Sequence, residues 1–255
     1  MGGGQVPPRR VARARPRRRR WRHRRRRRRR LRRPVVPEVT DVRRNLARVR
    51  ERIADAGGDP ERVTVLAMTK GHPVAACLAA LDAGLLDLGE NRAQELVAKA
   101  AGVDGARWHF TGRIQTNKVR TLAPLVHLWS SIDRPAAVAE VARRAPGARV
   151  LVQVNVSDEP QKGGCAVGEA PALVASARDA GLDVVGLMGM ARDGLPEDAR
   201  PAFRTLRRLA DGLSLPERSM GMTGDLEIAV QEGATIVRIG TALFGARLPA
   251  EFGSD

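Results

Sequence analysis

Apolar positions set the reading frame of this chain. Val39, Val42, Leu46, Val49 and Ile53 recur at spacings of three and four, which predicts an amphipathic helix. Thr40 is placed to cap its start, and Gly57-Gly58 to stop it. Short apolar runs then alternate with Ala- and Leu-rich stretches of helical period. The runs are Val63–Met68, Leu85–Gly89, Arg107–Thr111, Leu128–Ile132, Val150–Val156, Val184–Met190, Ser219–Met222 and Thr235–Ile239. Pro73–Ala83 and Arg134–Arg144 are typical of the stretches between them. Strand followed by helix, eight times over, implies a parallel sheet. Eight units in about 195 residues fit a small (β/α)8 TIM-type barrel. The rival is a doubly wound open sheet. No GxGxxG follows the first run, which weakens the dinucleotide-binding form of that rival.

Charge divides the chain in two. The formal net charge is +17 over 255 residues, yet residues 1–37 hold 18 arginines and no acid. Residues 38–255 then carry 27 basic and 28 acidic residues, a net of −1. The expected organisation is a disordered Arg-rich extension, 1–37, and one folded domain, 38–255. Arg24 to Arg30 repel one another and offer nothing apolar to bury. Nucleic-acid binding would rest on this extension alone. Trp21 is its single aromatic, so it lacks residues on which bases stack. The overall basicity therefore says nothing about the ligand of the folded domain.

At 43% hydrophobic, the chain can fill a sizeable core. Cys77 and Cys165 stand far apart without a CxxC or His cluster, so neither a disulfide framework nor a zinc site is expected. No apolar run reaches the roughly 18 residues of a membrane span, and the basic start lacks the apolar stretch of a secretory signal. A cytoplasmic protein without metal or membrane is the expectation. Tyrosine is absent, which excludes a tyrosine base within these residues.

In a barrel, functional side chains sit at the C-terminal ends of strands. Lys70 closes the first run. It either snorkels to water or, buried, becomes an amine able to form a Schiff base with an aldehyde. Asn91 closes the second run; it either caps the next helix or orients a ring hydroxyl. His109 lies mid-strand between aromatics, as a packed core residue or as a base. Ser219-Met220-Gly221-Met222-Thr223-Gly224-Asp225 and Arg238-Ile239-Gly240-Thr241 each end a strand and open a helix. Helix starts of this kind attract phosphate, and barrels often bind it after strands seven and eight. The competing reading is two tight turns that need glycine for backbone reasons.

The motifs resemble a known family. Met68-Thr69-Lys70, Gly89-Glu90-Asn91 with Gln94-Glu95, and Trp108-His109-Phe110 with Gly112, Ile114, Gln115, Asn117 and Lys118 occur in its order. Asn155, Ser157, Glu159, Lys162 and Gly164 follow, then Gly186-Leu187-Met188 and the two C-terminal turns ending in Phe244-Gly245. From about Thr40 to Arg247 the chain is similar to the pyridoxal phosphate homeostasis proteins, single-domain relatives of the alanine racemase barrel. It departs from them at Gly71-His72, at Leu88 and at Thr223, where serine is usual.

The resemblance implies pyridoxal phosphate held as an internal aldimine on Lys70. Asn91 would lie near the ring. Thr223, Gly240 and Thr241 would hold the phosphate, Ser219 and Met222 would line the cup, and Arg238 would face the pyridine nitrogen. The implied role is a carrier in intracellular cofactor homeostasis, with apo-enzymes that use the cofactor as partners. The alternative is a racemase-like enzyme on the same barrel. That alternative needs a tyrosine from a second domain, which is expected to be missing here, and a monomer is expected for the same reason.

Overall fold

The computed structural model describes residues 1–4, 41–159 and 162–246. The Arg-rich extension and Thr40 lie outside the described residues, apart from residues 1–4. Within the unit Pro37–Asp255, eight parallel strands close into a barrel in sequence order. Helix α1 is Val42–Asp55, and the first units run β1 Thr64–Met68, α2 Val74–Asp82, β2 Asp87–Glu90, α3 Ala93–Ala100, β3 Arg107–Phe110 and α4 Thr116–Leu122. The middle units are β4 Val126–Ile132, α5 Pro135–Arg144, β5 Arg149–Val154 and α6 Ala170–Asp179. The last are β6 Asp183–Gly189, α7 Arg200–Gly212, β7 Glu217–Ser219, α8 Leu226–Gln231, β8 Ile236–Ile239 and α9 Thr241–Phe244. Each of the eight predicted runs overlaps a strand, and the open-sheet rival falls.

Two predicted details shift. The N-cap of α1 is Asp41, whose Oδ1 accepts from the Arg44 N–H at 3.0 Å, in place of the expected Thr40. A carboxylate there also favours the positive end of the helix. The seventh strand is shorter and earlier than Ser219–Met222. Gly221 adopts φ +90°, and the Asp225 carboxylate takes the Met222 N–H at 2.5 Å. The chain thus leaves the ladder as a turn, although Met220 N–H still reaches Ile236 O and Arg238 N–H still reaches Gly221 O.

Strand alternation sorts the core into two layers. Val65, Ala67, Val150, Val152, Val237 and Ile239 face outward to the helices. Leu66, Met68, Leu128, Leu151, Met188 and Ile236 fill the barrel interior as a separate cluster. Helix α1 buries Val42, Leu46, Val49 and Ile53 against the ring beside α2, α8 and α9. Each such side chain contributes about 1.5–3 kcal/mol. Cys77 and Cys165 are free and buried, and burial pushes both thiols up to about 11. Among the described residues no helix is long and apolar enough to cross a membrane.

The strand starts carry a polar layer. His109 Nε2 lies 2.9 Å from Asp87 Oδ1, and Arg107 Nη2 lies 2.5 Å from Asp87 Oδ2. Burial alone would raise the Asp87 carboxyl, but hydrogen bonds and charge from His109 and Arg107 outweigh it and hold it below the ordinary range. The depressed folded value means that its stabilisation is present above about pH 4 and is lost as pH falls through the folded value. Asp87→Asn should cost about 1–3 kcal/mol at pH 7. The deficit should shrink by pH 3 in urea unfolding, and a deficit independent of pH would refute the assignment.

Candidate functional site

Lys70 sits in the turn after β1, half-buried, beside Gly71 at φ +71°. A left-handed backbone is free of strain there because glycine has no Cβ. The turn closes through His72 N–H to Thr69 O at 3.0 Å. The His72 ring packs on Phe244 of α9, with centroids 5.1 Å apart. Gly71-His72 is thus a tight turn tied to α9, the helix after the neighbouring strand β8.

Asn91 follows β2. The N-cap of α3 is Arg92, so Asn91 is not the cap and instead lines the mouth. Gly112 explains how it is held. A Cβ at Gly112 would overlap the Asn91 carbonyl, so only glycine lets the loop after β3 press this closely. Ser131 Oγ fixes that loop from behind through Gly112 O at 2.5 Å.

The wall on the other flank of β1 comes from β7 and β8. Arg238 is buried within the barrel mouth. Its Nη1 donates to Ser219 O at 2.7 Å and Ser219 Oγ at 3.1 Å, and its Nη2 to Gly189 O at 2.9 Å. All three acceptors are neutral. Burial pushes its pKa down to about 10, with the charge of Asp225 opposing, so it remains a cation at neutral pH. Thr223 and Thr241 belong to the two turns, bridged by Ala242 N–H to Thr223 Oγ1 at 3.4 Å. Helix α1 braces both turns. Arg52 donates to Thr223 O at 2.9 Å and pairs with Glu227 at 2.6 Å, while Asn45 Nδ2 donates to Leu243 O at 3.0 Å.

These elements enclose one cavity of about 620 Å³. Its lining includes Lys70, Asn91, Met222, Thr223, Arg238, Gly240 and Thr241. Ser219 is not on the surface of this cavity; it stands fully buried behind Arg238 as its acceptor. His109 belongs to the other end of the barrel, bonded to Asp87. Sequence reading gave no role to Arg52, Asn45 or Lys162. Lys162 Nζ also lines the cavity, donating to Ala191 O at 2.5 Å and pairing with Glu159 at 2.7 Å. Beneath Lys70 lies a buried cluster of Glu90, Glu95 and Lys99, also unassigned from sequence. Its sequence signals are the motif that holds Glu90 and Glu95, and the i,i+4 spacing of Glu95 and Lys99.

The cavity is of the size that takes a small organic ligand. An amine stands on one wall, a guanidinium with uncharged partners in the mouth, and hydroxyl-bearing turns on the adjoining wall. That donor set suits a flat aldehyde with an anionic group, so the residues present fit pyridoxal phosphate.

Residues 38–248 match the family described as alanine racemase, N-terminal domain. A pyridoxal phosphate homeostasis protein of Pseudomonas aeruginosa is 43% identical over 211 residues, covering 79% of this chain and 92% of that protein. A solved structure of a Bifidobacterium adolescentis protein of unknown function is similar with a TM-score of 0.74 and 34% identity, over 80% of this chain and 94% of that one. The structure of PipY from Synechococcus elongatus with pyridoxal phosphate bound aligns with a TM-score of 0.68 and 32% identity, over 77% of this chain and all (100%) of PipY. By fold, by motif order and by these likenesses, the chain belongs to the pyridoxal phosphate homeostasis protein family, on the barrel of the alanine racemase N-terminal domain.

Proposed function

We propose that this protein binds pyridoxal phosphate through Lys70 and holds it for delivery to apo-enzymes in the cytoplasm. The observation that carries the reading is the enclosure of Lys70, Arg238, Thr223, Gly240 and Thr241 in one cavity. The bound cofactor supplies an aldehyde that condenses reversibly with an amine, releasing water. Lys70 provides the amine. Thr223 and Thr241 offer hydroxyls, and the turn at Gly240 offers backbone, to the phosphate. Arg238 keeps a positive charge where the ring nitrogen would lie. A cation there disfavours protonation of that nitrogen. An unprotonated ring stabilises negative charge on a substrate less well, which suits holding over turnover. Two-sided proton exchange needs a second base opposite Lys70, and the 255 residues contain no tyrosine to serve. The folded domain, 38–255, carries the whole site in this reading, a monomer suffices, and residues 1–37 are dispensable for cofactor binding.

Purified protein mixed with pyridoxal phosphate should absorb in the visible, and borohydride should fix the label on Lys70. In Lys70→Ala the band should fall at least tenfold. A full band in that variant would place the attachment elsewhere.

Thr223→Val with Thr241→Val removes two bonds to a charged group, each worth about 1.5–3 kcal/mol. Affinity for pyridoxal phosphate should drop more than a hundredfold, while pyridoxal should lose less than about fivefold. Equal losses for the two ligands would put the phosphate outside this cup.

Delivery and turnover are separated by two assays on one preparation. The loaded protein should reactivate an apo-transaminase. Exchange of the Cα hydrogen of L- or D-alanine for deuterium should be negligible. Racemisation near the enzyme median of about 10 per second would replace the carrier reading with a racemase.

A further inference from the structure

Lys99 is an unusual residue to find at 5% exposure, beside Glu90 at 0% and Glu95 at 9%. Its ammonium has three donors, and three acceptors take them. Nζ lies 2.6 Å from Glu90 Oε1, 3.0 Å from Glu95 Oε2 and 2.7 Å from Thr69 O. Glu90 Oε1 also accepts from Thr69 Oγ1 at 2.5 Å, and Glu95 Oε2 accepts from Gly71 N–H at 2.8 Å. Arg92 approaches Glu95 at 3.6 Å from the surface, which makes the group of four neutral.

Thr69 O belongs to the peptide plane before the Lys70 Cα, and Gly71 N–H to the plane after it. Both planes are therefore tied to the same ion cluster on β2 and α3. We propose that Lys99, Glu90 and Glu95 are positioning residues that clamp the two peptide groups flanking Lys70 and so present its amine in one place. The inference rests on Lys70 as the attachment residue.

Buried ion pairs contribute little net stability compared with apolar packing of the same volume. Stability alone does not account for two carboxylates and an ammonium under a turn. Placement does. A five-residue connection between β1 and α2 contains a left-handed glycine, and such turns move unless held. A shift of about 1 Å in a reacting group can slow a reaction a hundredfold. Lys99 itself is not the reacting amine, because its three donors are spent.

Glu95→Gln keeps an oxygen for Gly71 N–H, whereas Glu95→Ala removes it. The full chain of each variant is mixed with pyridoxal phosphate, and the label at Lys70 is followed by borohydride trapping and peptide mapping. Glu95→Ala should slow attachment at Lys70 by tenfold to a hundredfold and shift label to other lysines. Glu95→Gln should stay within about threefold of the unsubstituted protein. In the ligand-free unsubstituted protein, the Gly71 amide should exchange with deuterium at least a hundredfold slower than a free turn amide. Free exchange at Gly71 overturns the clamp, even if Glu95→Ala fails to fold. So does attachment in folded Glu95→Ala at the unsubstituted rate, or equal slowing in both variants. Absence of attachment at Lys70 in the unsubstituted protein would instead overturn the reading of Lys70, and the clamp with it.

Discussion

The hydrogen-bonded seam between β1 and β8 is the contact on which the site depends. Thr64 pairs with Ile236, Val65 with Val237, Leu66 with Arg238 and Ala67 with Ile239. The register places Gly240 and Thr241 beside the end of β1, and Lys70 one turn beyond it. Residues about 170 positions apart thereby become the two walls of one cavity. Closing so long a loop is only modestly harder than closing a short one, because the entropy term grows with the logarithm of length. The outward side chains of the seam, Val65, Ala67, Val237 and Ile239, are all buried against helices. A one-residue slip would turn those side chains inward and point Arg238 at the helices. The register and the position of the cation are thus one fact.

Two buried cations show opposite uses of charge. Lys99 spends its three donors on two carboxylates and one carbonyl. Burial pushes the Glu90 carboxyl up despite Lys99. Burial acts the same way on Glu95, but the Gly71 N–H and Lys99 outweigh it and hold that carboxyl low. Arg238 is held by Ser219 and Gly189 oxygens that carry no charge. Asp225, which makes no ion pair with it, is the charge that opposes its field among the described residues. The first cation is neutralised locally and shapes a turn. The second keeps its field for whatever enters the mouth.

Much of this was legible from the pattern of residues. Eight apolar runs gave eight strands, because a parallel strand buried on both faces needs a near-continuous apolar segment. The strand-end rule led to Lys70, Asn91, Thr223 and Thr241, all of which line the cavity. What escaped was set by tertiary pairing. Ser219 reads as a hydroxyl for the cup, yet Arg238 takes that hydroxyl from behind. Glu90 enters the sequence reading only as a member of the Gly89-Glu90-Asn91 motif, and Lys99 does not enter it. Their burial depends on β1 pairing with β2, with Ala67 opposite Leu88 and Met68 opposite Gly89. The braces from α1 escaped for a related reason. Arg52 and Asn45 lie on a helix outside the βα repeat, and nothing local shows that its polar residues face the two turns.

The two ends of the barrel divide the polar residues by purpose. At the strand starts, Thr64, Asp87, Arg107, His109 and Glu217 surround a space of only about 100 Å³. There acid meets base directly, as in Asp87 with His109 and Arg107, and Glu217 takes the Thr235 hydroxyl at 2.6 Å. A layer paired in this way closes the barrel floor and leaves little for a ligand. At the strand ends, the apolar plug of Leu66, Met68 and Met188 stops short, and the lining above it is rich in donors with few acids. Asp133 is the acid of that lining, and it is already paired with Arg134 at 2.5 Å. An excess of donors over charged acceptors is costly in an empty protein interior. Under the proposed function, an anionic ligand in the mouth would offset that cost.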